Sequence, residues 1–142
     1  MQNKIKIGII GGSGMEDPAF ITDYSSKSVT TPYGEPSSEL IIGTIADVSV
    51  VILSRHGPGH SINPTNVNYR ANIHALKDAG CNHILAVTAC GSLRERIKPG
   101  HFVFPDQFID RTTKRISTFF NGSDVKHVSM GKPFSLKLRN RL

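Results

Sequence analysis

The chain has 142 residues and a formal net charge of +6, with 17 basic against 11 acidic residues. This length predicts about one domain, with enough volume for an apolar core that needs no disulfide bonds. No apolar run approaches the roughly 18–20 residues that span a bilayer, and the N-terminus lacks the apolar segment and small-residue cleavage site of a secretory signal. We therefore expect a cytoplasmic protein without a membrane partner.

The cysteines and the positive charge each suggest a class of protein that the sequence pattern does not support. Cys81 and Cys90 show no CxxC spacing and belong to no Cys–His pattern that completes a zinc site. We therefore expect no metal and two reduced thiols. The basic residues are scattered along the chain, which predicts no nucleic-acid partner and is compatible with an anionic small molecule such as phosphate.

The first half of the chain is typical of strands with glycine-rich or polar ends. Residues 4–10 hold four isoleucines and predict a buried strand that ends at the glycine-rich segment 11–14. Residues 31–36 (TPYGEP) predict a turn. Residues 40–45 and 48–53 are two further apolar runs, and the two-residue link between them predicts a β-hairpin.

The hydrophobic period changes at Asn63. This residue suits a helix N-cap, Pro64 suits the first helical position, and apolar residues then recur every four positions as far as Gly80. The pattern predicts a helix between these limits. Residues 83–88 (HILAVT) predict another buried strand, and residues 102–104 predict the start of one more.

The last residues predict a short helix. Ser135 follows a proline and a phenylalanine and precedes Leu136, Leu138 and Leu142. A helix this short is marginal unless it packs against something. We therefore expect the sequence to be interrupted within an element of a longer protein.

The order strand, helix, strand, with glycine-rich strand ends, indicates the fold class. It predicts an α/β domain with a mostly parallel central β-sheet flanked by helices.

Polar groups suited to an oxyanion lie where three predicted strands end. Ser13 lies in the glycine-rich loop after the first strand, Arg55 and His56 follow the hairpin, and Thr88 and Ala89 end the strand after the helix. Ligand sites of open α/β sheets form at the carboxyl ends of strands, and an arginine fork, hydroxyl groups and exposed backbone N–H groups together bind phosphate. Each feature alone has a plain alternative: a tight turn, a surface Arg–His pair, or a threonine that satisfies backbone groups. The glycines match neither the GxGxxG fingerprint nor a P-loop, and only the combination predicts a phosphate site.

Six motifs in order give the chain a resemblance to a known family. They are KIGIIGGSG, TPYGEPS, ILSRHGPGH, NPTNVNYRANI, VTACGSLRE and DQFIDRT. Over essentially the whole chain they resemble the purine nucleoside phosphorylase family, and residues 106–112 resemble its methylthioadenosine branch. The resemblance implies a purine nucleoside phosphorylase-like fold, truncated after about half of the domain. Residues 1–142 would then be the N-terminal, phosphate-binding part of a single domain.

The resemblance also implies an enzyme. Phosphate would attack C1′ of S-methyl-5′-thioadenosine and release adenine and 5-methylthioribose 1-phosphate, with phosphate as co-substrate and with no cofactor or metal. The partners would be the nucleoside, phosphate and two further copies of the chain in a homotrimer. By motif, His127 would reach the substrate pocket of a neighbouring subunit, and the phosphate-binding residues would be Ser13, Arg55, His56, Thr88 and Ala89.

Two alternatives stay open. In the family, the residues that recognise and protonate the purine lie in the second half of the chain, so no catalytic residue is assigned in this sequence. The chain could belong to an inactive homologue that keeps phosphate or nucleoside binding. It could also belong to a phosphorylase of 6-oxopurine nucleosides.

Overall fold

The computed structural model describes residues 4–12, 18–120 and 122–142. Its contacts divide the chain into two units, residues 1–89 and residues 90–142.

A five-stranded sheet organises the described part of residues 1–89. Its strands, named in chain order, are β1 (Lys6–Gly11), β2 (Thr22–Lys27), β3 (Leu40–Ile45), β4 (Val48–Ser54) and β5 (His83–Ala86). Their order in the sheet is β2-β3-β4-β1-β5. Strand β1 runs parallel to β4 and β5, whereas the pairs β2–β3 and β3–β4 are antiparallel. The α/β class is confirmed, and the sheet is mixed, with its parallel part formed by β4, β1 and β5.

Both predicted turns of the first unit are confirmed. Thr31 and Gly34 exchange backbone hydrogen bonds of 3.1 and 3.0 Å. Ala46 and Asp47 connect β3 to β4 with φ angles of 45° and 64°. Two consecutive left-handed residues are the geometry of a type I′ hairpin turn, whose twist matches that of the flanking strands.

Strand β2 is not evident in the sequence. All six of its residues are exposed, because it lies at the edge of the sheet and has no apolar face to bury. Ser26 of β2 donates a hydrogen bond to one oxygen of the Glu39 carboxylate, and Ser28, just beyond the strand, donates to the other at 2.6 Å. These two hydroxyl groups hold the pKa of Glu39 below its usual value.

The helix after residue 63 begins later than the sequence predicts. The prediction of a start at Asn63 is wrong, because its side chain accepts hydrogen bonds from the amides of Thr65 and Asn66 and closes a separate turn. Helix α1 spans Tyr69–Asp78, and Asn68 is its N-cap, with a hydrogen bond of 3.2 Å from the amide of Ala71. Either asparagine satisfies the local rules for an N-cap, so local rules do not choose between them.

The predicted end of the helix is confirmed. Gly80 has a φ of 83°, and its amide donates to the carbonyl of Lys77, while the amide of Cys81 donates to the carbonyl of Leu76. This pair of bonds is the Schellman motif, in which a glycine adopts the left-handed conformation that a side chain would oppose.

Helix α1 covers one face of the sheet and forms the main core with it. Val51 and Leu53 of β4 point to that face, and Val50 and Ile52 point to the other, where they meet Ile21. The buried side chains of this core are Ile10, Leu40, Val51 and Leu53, together with Ala75 and Leu76 of α1. Because β4 is buried on both faces, its sequence is a continuous apolar run.

The described part of residues 90–142 has little regular structure. The predicted strand at residues 102–104 is not formed; its three apolar side chains are exposed, Phe102 by 84%. A β-branched or aromatic run forms a strand only where a neighbouring strand and a packing face are present. The predicted terminal helix is confirmed as α2 (Leu136–Arg139), with Ser135 as its N-cap.

A few side-chain contacts hold residues 90–142. Arg139 donates from Nε and Nη2, at 3.3 Å each, to the carbonyl of Phe104, and Gln107 donates to the carbonyl of Met130 at 2.8 Å. The rings of Phe108 and Phe134 meet edge to face, with centroids 5.8 Å apart. Across the described residues of the chain, no helix is long and apolar enough to cross a bilayer.

Candidate functional site

Three parallel strands deliver the predicted site residues to one edge of the sheet. In the register of β1 with its neighbours, Gly11 lies opposite Ser54 and Ile10 lies opposite Ala86. The pairing continues beyond both strands, because Arg55 donates its amide to the Gly11 carbonyl and Val87 donates its amide to the Ile10 carbonyl, both at 2.9 Å. The residues that follow β4 and β5 therefore flank the end of β1.

Arg55 connects these strand ends through its side chain. Nη1 donates to the carbonyl of Val87 at 3.2 Å, and Nη2 donates to Oγ1 of Thr88 at 3.5 Å, the upper limit of a hydrogen bond. Nε donates to Nε2 of His56 at 3.3 Å. All three guanidinium nitrogens are thus held by the protein, and the plane of the fork is set before any ligand arrives.

His56 is held on both edges of its ring. Besides the contact with Arg55, its Nδ1 lies 2.9 Å from the carbonyl oxygen of Ile62. The rings of His56 and His60 are stacked, with centroids 5.8 Å apart and planes 17° apart. The imidazole is therefore fixed in position and orientation.

Gly12 leaves the space that the arginine occupies. A Cβ added at residue 12 would stand 3.0 Å from Nη2 of Arg55. The residue that follows β1 therefore has to lack a side chain for the fork to lie across the strand end.

The other predicted site residues are not all placed at this edge of the sheet. Thr88 and Ala89 are exposed at the end of the β5 segment, where the Thr88 hydroxyl also approaches the Ala89 carbonyl at 3.5 Å. Ser13 lies outside the described residues. His127 is exposed and belongs to residues 90–142.

The chemistry available at this edge is that of an anion receptor. A fixed guanidinium and a hydroxyl face solvent, and such donors bind a tetrahedral oxyanion by charge-assisted hydrogen bonds. No group of three His, Cys, Asp or Glu side chains that could hold a metal occurs among the described residues.

Sequence reasoning missed the backbone partners of the site. The carbonyl groups of Val87 and Ile62 orient Arg55 and His56, yet a carbonyl is present at every position and has no sequence signal. The close approach of Gly12 to Arg55 could have been suspected from the paired glycines at the end of β1, since glycine permits contacts that a Cβ would forbid.

A family model described as "Phosphorylase superfamily" matches residues 6–142. The chain belongs to this superfamily. The resemblance deduced from the six motifs is confirmed by S-methyl-5′-thioadenosine phosphorylases of other organisms. The Danio rerio protein is 55% identical over 143 residues, covering 97% of this chain and 51% of the relative, and the Ciona intestinalis protein is 57% identical, covering 96% and 51%.

Solved structures of the superfamily agree with the sequence comparison. Methylthioadenosine phosphorylase from Schistosoma mansoni in complex with adenine matches with a TM-score of 0.90 and 49% identity, over 96% of this chain and 51% of that one. The same protein in complex with tubercidin matches with the same TM-score and identity. The chain spans about half the length of the curated relatives it matches, and it aligns with their N-terminal half.

Proposed function

We propose that this chain supplies the phosphate-binding part of an enzyme that cleaves S-methyl-5′-thioadenosine by phosphorolysis. Phosphate oxygen would form a bond to C1′ of the ribose as the bond from C1′ to N9 of adenine breaks. The products would be adenine and 5-methylthioribose 1-phosphate. The reaction needs inorganic phosphate as co-substrate and no cofactor or metal.

One observation carries the proposal. The guanidinium of Arg55 bridges the ends of the three parallel strands and is oriented by Val87, Thr88 and His56. A preset fork of this kind suits the bidentate recognition of phosphate. The activity of the methylthioadenosine phosphorylases that this chain resembles, and their complexes with adenine and tubercidin, support the choice of a purine nucleoside as the second substrate.

The proposed chemistry follows from charge. Breaking a glycosidic bond to a purine gives the sugar cationic character, and an anchored anion below C1′ stabilises that charge in the transition state. Fixing the phosphate in line with the breaking bond adds the advantage of proximity. The leaving adenine takes up a proton, and no residue of this chain is assigned to that step.

Within this proposal, three further residues have roles that rest on the family motifs. Ser13 and the backbone of Ala89 would donate to phosphate beside Arg55 and Thr88. His127, which is exposed, would reach the substrate pocket of a neighbouring subunit in a homotrimer. We expect the enzyme to act in the cytoplasm.

A chimera tests the proposal. Residues 1–142 would be joined to the part of the Danio rerio relative that lies beyond the aligned region, and adenine release from methylthioadenosine would be measured with and without phosphate. We expect adenine release that requires phosphate. Arg55→Ala removes the guanidinium that would bind phosphate, so the KM for phosphate should rise more than tenfold, which corresponds to about 1.4 kcal/mol of binding energy. Arg96→Ala, a matched change at an exposed arginine, should leave the KM unchanged.

The same assay tests the alternative of an inactive homologue. Phosphate binding without release of adenine would favour an inactive homologue. No binding of phosphate at all would contradict the proposal.

A further inference from the structure

We infer that the imidazole of His56 acts at this site by positioning Arg55, as a neutral hydrogen-bond acceptor, and does not itself donate to the bound anion. The inference rests on the proposed function in one respect, namely that the anion is phosphate. An imidazole that donated directly to phosphate would have the other neutral tautomer and a different role.

The two contacts of the His56 ring decide where its proton lies. The Nε–H of Arg55 can only donate, so Nε2 of His56, 3.3 Å away, has to offer its lone pair. The carbonyl of Ile62 can only accept, so Nδ1, 2.9 Å away, has to carry the hydrogen. The neutral Nδ1–H tautomer satisfies both partners, whereas the Nε2–H tautomer satisfies neither, and the imidazolium places a second cation against the guanidinium.

The loop after β4 is built to hold this arrangement. Ile62 donates its amide to the carbonyl of His56 at 2.8 Å and accepts from the His56 ring, so these two residues are joined by two hydrogen bonds. Gly57, with a φ of 71°, lets the chain turn back between them. The ring of His60 covers one face of the imidazole, which further restricts its rotation.

The consequence for Arg55 is a defined set of donors for the ligand. A guanidinium has five N–H groups. His56, Val87 and Thr88 each take one, and as far as the described residues go, one N–H on each Nη nitrogen remains to bind an oxyanion. Because Nε is held by His56, the fork cannot rotate about its long axis to present a different pair.

Direct donation from His56 to phosphate would require the opposite tautomer. The proton would have to lie on Nε2, and the hydrogen bonds from Arg55 and to Ile62 would both be lost. The position of one proton therefore distinguishes a positioning residue from a phosphate ligand.

The experiment is ¹⁵N NMR of the histidine side chains in the 142-residue chain at about pH 8, above the ordinary range of imidazole titration, with and without inorganic phosphate. Spectra of the His56 variants assign its signals by their loss. We expect the neutral Nδ1–H tautomer in both states. A proton on Nε2, or an imidazolium, when phosphate is bound would overturn the inference.

Two substitutions test the role by affinity. His56→Gln places an amide oxygen near the former Nε2, where it can accept from Arg55, whereas His56→Asn places an amide nitrogen near the former Nδ1 and leaves Arg55 without its acceptor. By calorimetry with inorganic phosphate, we expect His56→Gln to bind within about threefold of the parent and His56→Asn to bind roughly tenfold more weakly, since hydrogen bonds to charged groups are the strong ones. Equal affinity of the two variants, or weaker binding by His56→Gln, would contradict the inference. Failure of the parent to bind phosphate would refute the proposed function instead, and the tautomer measured without phosphate would still support or refute the positioning role.

Discussion

Asn72 and Ser37 exchange two hydrogen bonds in the interior of the first unit. The amide of Ser37 donates to Oδ1 of Asn72 at 2.8 Å, and Nδ2 of Asn72 donates to Oγ of Ser37 at 3.0 Å. Asn72 is only 2% exposed and lies on α1, so this pair joins the helix to the segment that leads into β3. A buried polar pair is stable only while both members are satisfied.

Loss of this pair should destabilise the fold. Asn72→Ala leaves the buried amide of Ser37 without its acceptor, and we expect the free energy of unfolding in urea to fall by about 2–3 kcal/mol. Ser37→Ala keeps that amide bond and should cost less. Asn66→Ala, at an exposed asparagine, should change the free energy by under about 0.5 kcal/mol. Equal effects of the buried and exposed substitutions would show that the pair contributes nothing.

The space beside Gly12 should be required for anion binding. Gly12→Ala brings a Cβ to 3.0 Å from Nη2 of Arg55, and the fork cannot move aside without weakening the bonds that hold it. We expect the affinity for phosphate, measured by calorimetry, to fall roughly tenfold, or about 1.4 kcal/mol. Gly131→Ala, whose Cβ would make only an ordinary contact of 3.6 Å with Ser129, is the matched control. Unchanged affinity in Gly12→Ala would mean that Arg55 does not bind the anion from this position.

The hairpin between β3 and β4 can be stabilised. Ala46 and Asp47 both adopt left-handed φ angles, which cost L-residues roughly 1–2 kcal/mol each. The double variant with Ala46→Asn and Asp47→Gly supplies the residues that a type I′ turn prefers, and should raise the free energy of unfolding by about 1 kcal/mol. Ala46→Val, which places a β-branched residue at the same φ, should lower it. A less stable double variant would contradict this geometry of the turn.

The two thiols should differ in reactivity. Burial raises the pKa of Cys81 above that of a free thiol, although the nearby charge of Lys6 opposes the shift, and Cys90 is exposed. Only the thiolate is nucleophilic, so a raised pKa leaves less of the reactive form of Cys81 at any pH below it. In native protein we expect iodoacetamide to modify Cys90 first, and the rate at Cys81 to rise only as the pH passes the ordinary thiol range. Mass spectrometry of timed samples measures both rates, and the urea-unfolded chain, in which they should become similar, is the control. Faster modification of Cys81 than of Cys90 in the native state would contradict the lower reactivity expected for the buried thiol.

The sequence by itself determined the elements whose signal is local. The apolar runs predicted β1, β4 and the hairpin partner β3, and Gly80 marked the end of α1, because strand burial and helix termination depend on neighbouring residues. The six motifs also determined the superfamily. The predicted helix start at Asn63 is wrong, because Asn63 closes a separate turn and Asn68 caps α1. The exposed strand β2 has no local signal and is not predicted.

Only the tertiary structure decided how the site is assembled. The sequence placed Arg55, His56 and Thr88 after strands, but the parallel register of β4, β1 and β5 determines that the Arg55 fork reaches across Gly12 to Val87 and Thr88. The proton position on His56 depends on a carbonyl six residues along the chain. Backbone carbonyl groups are identical at every residue, so which of them orients a side chain is decided by how the strands and loops pack.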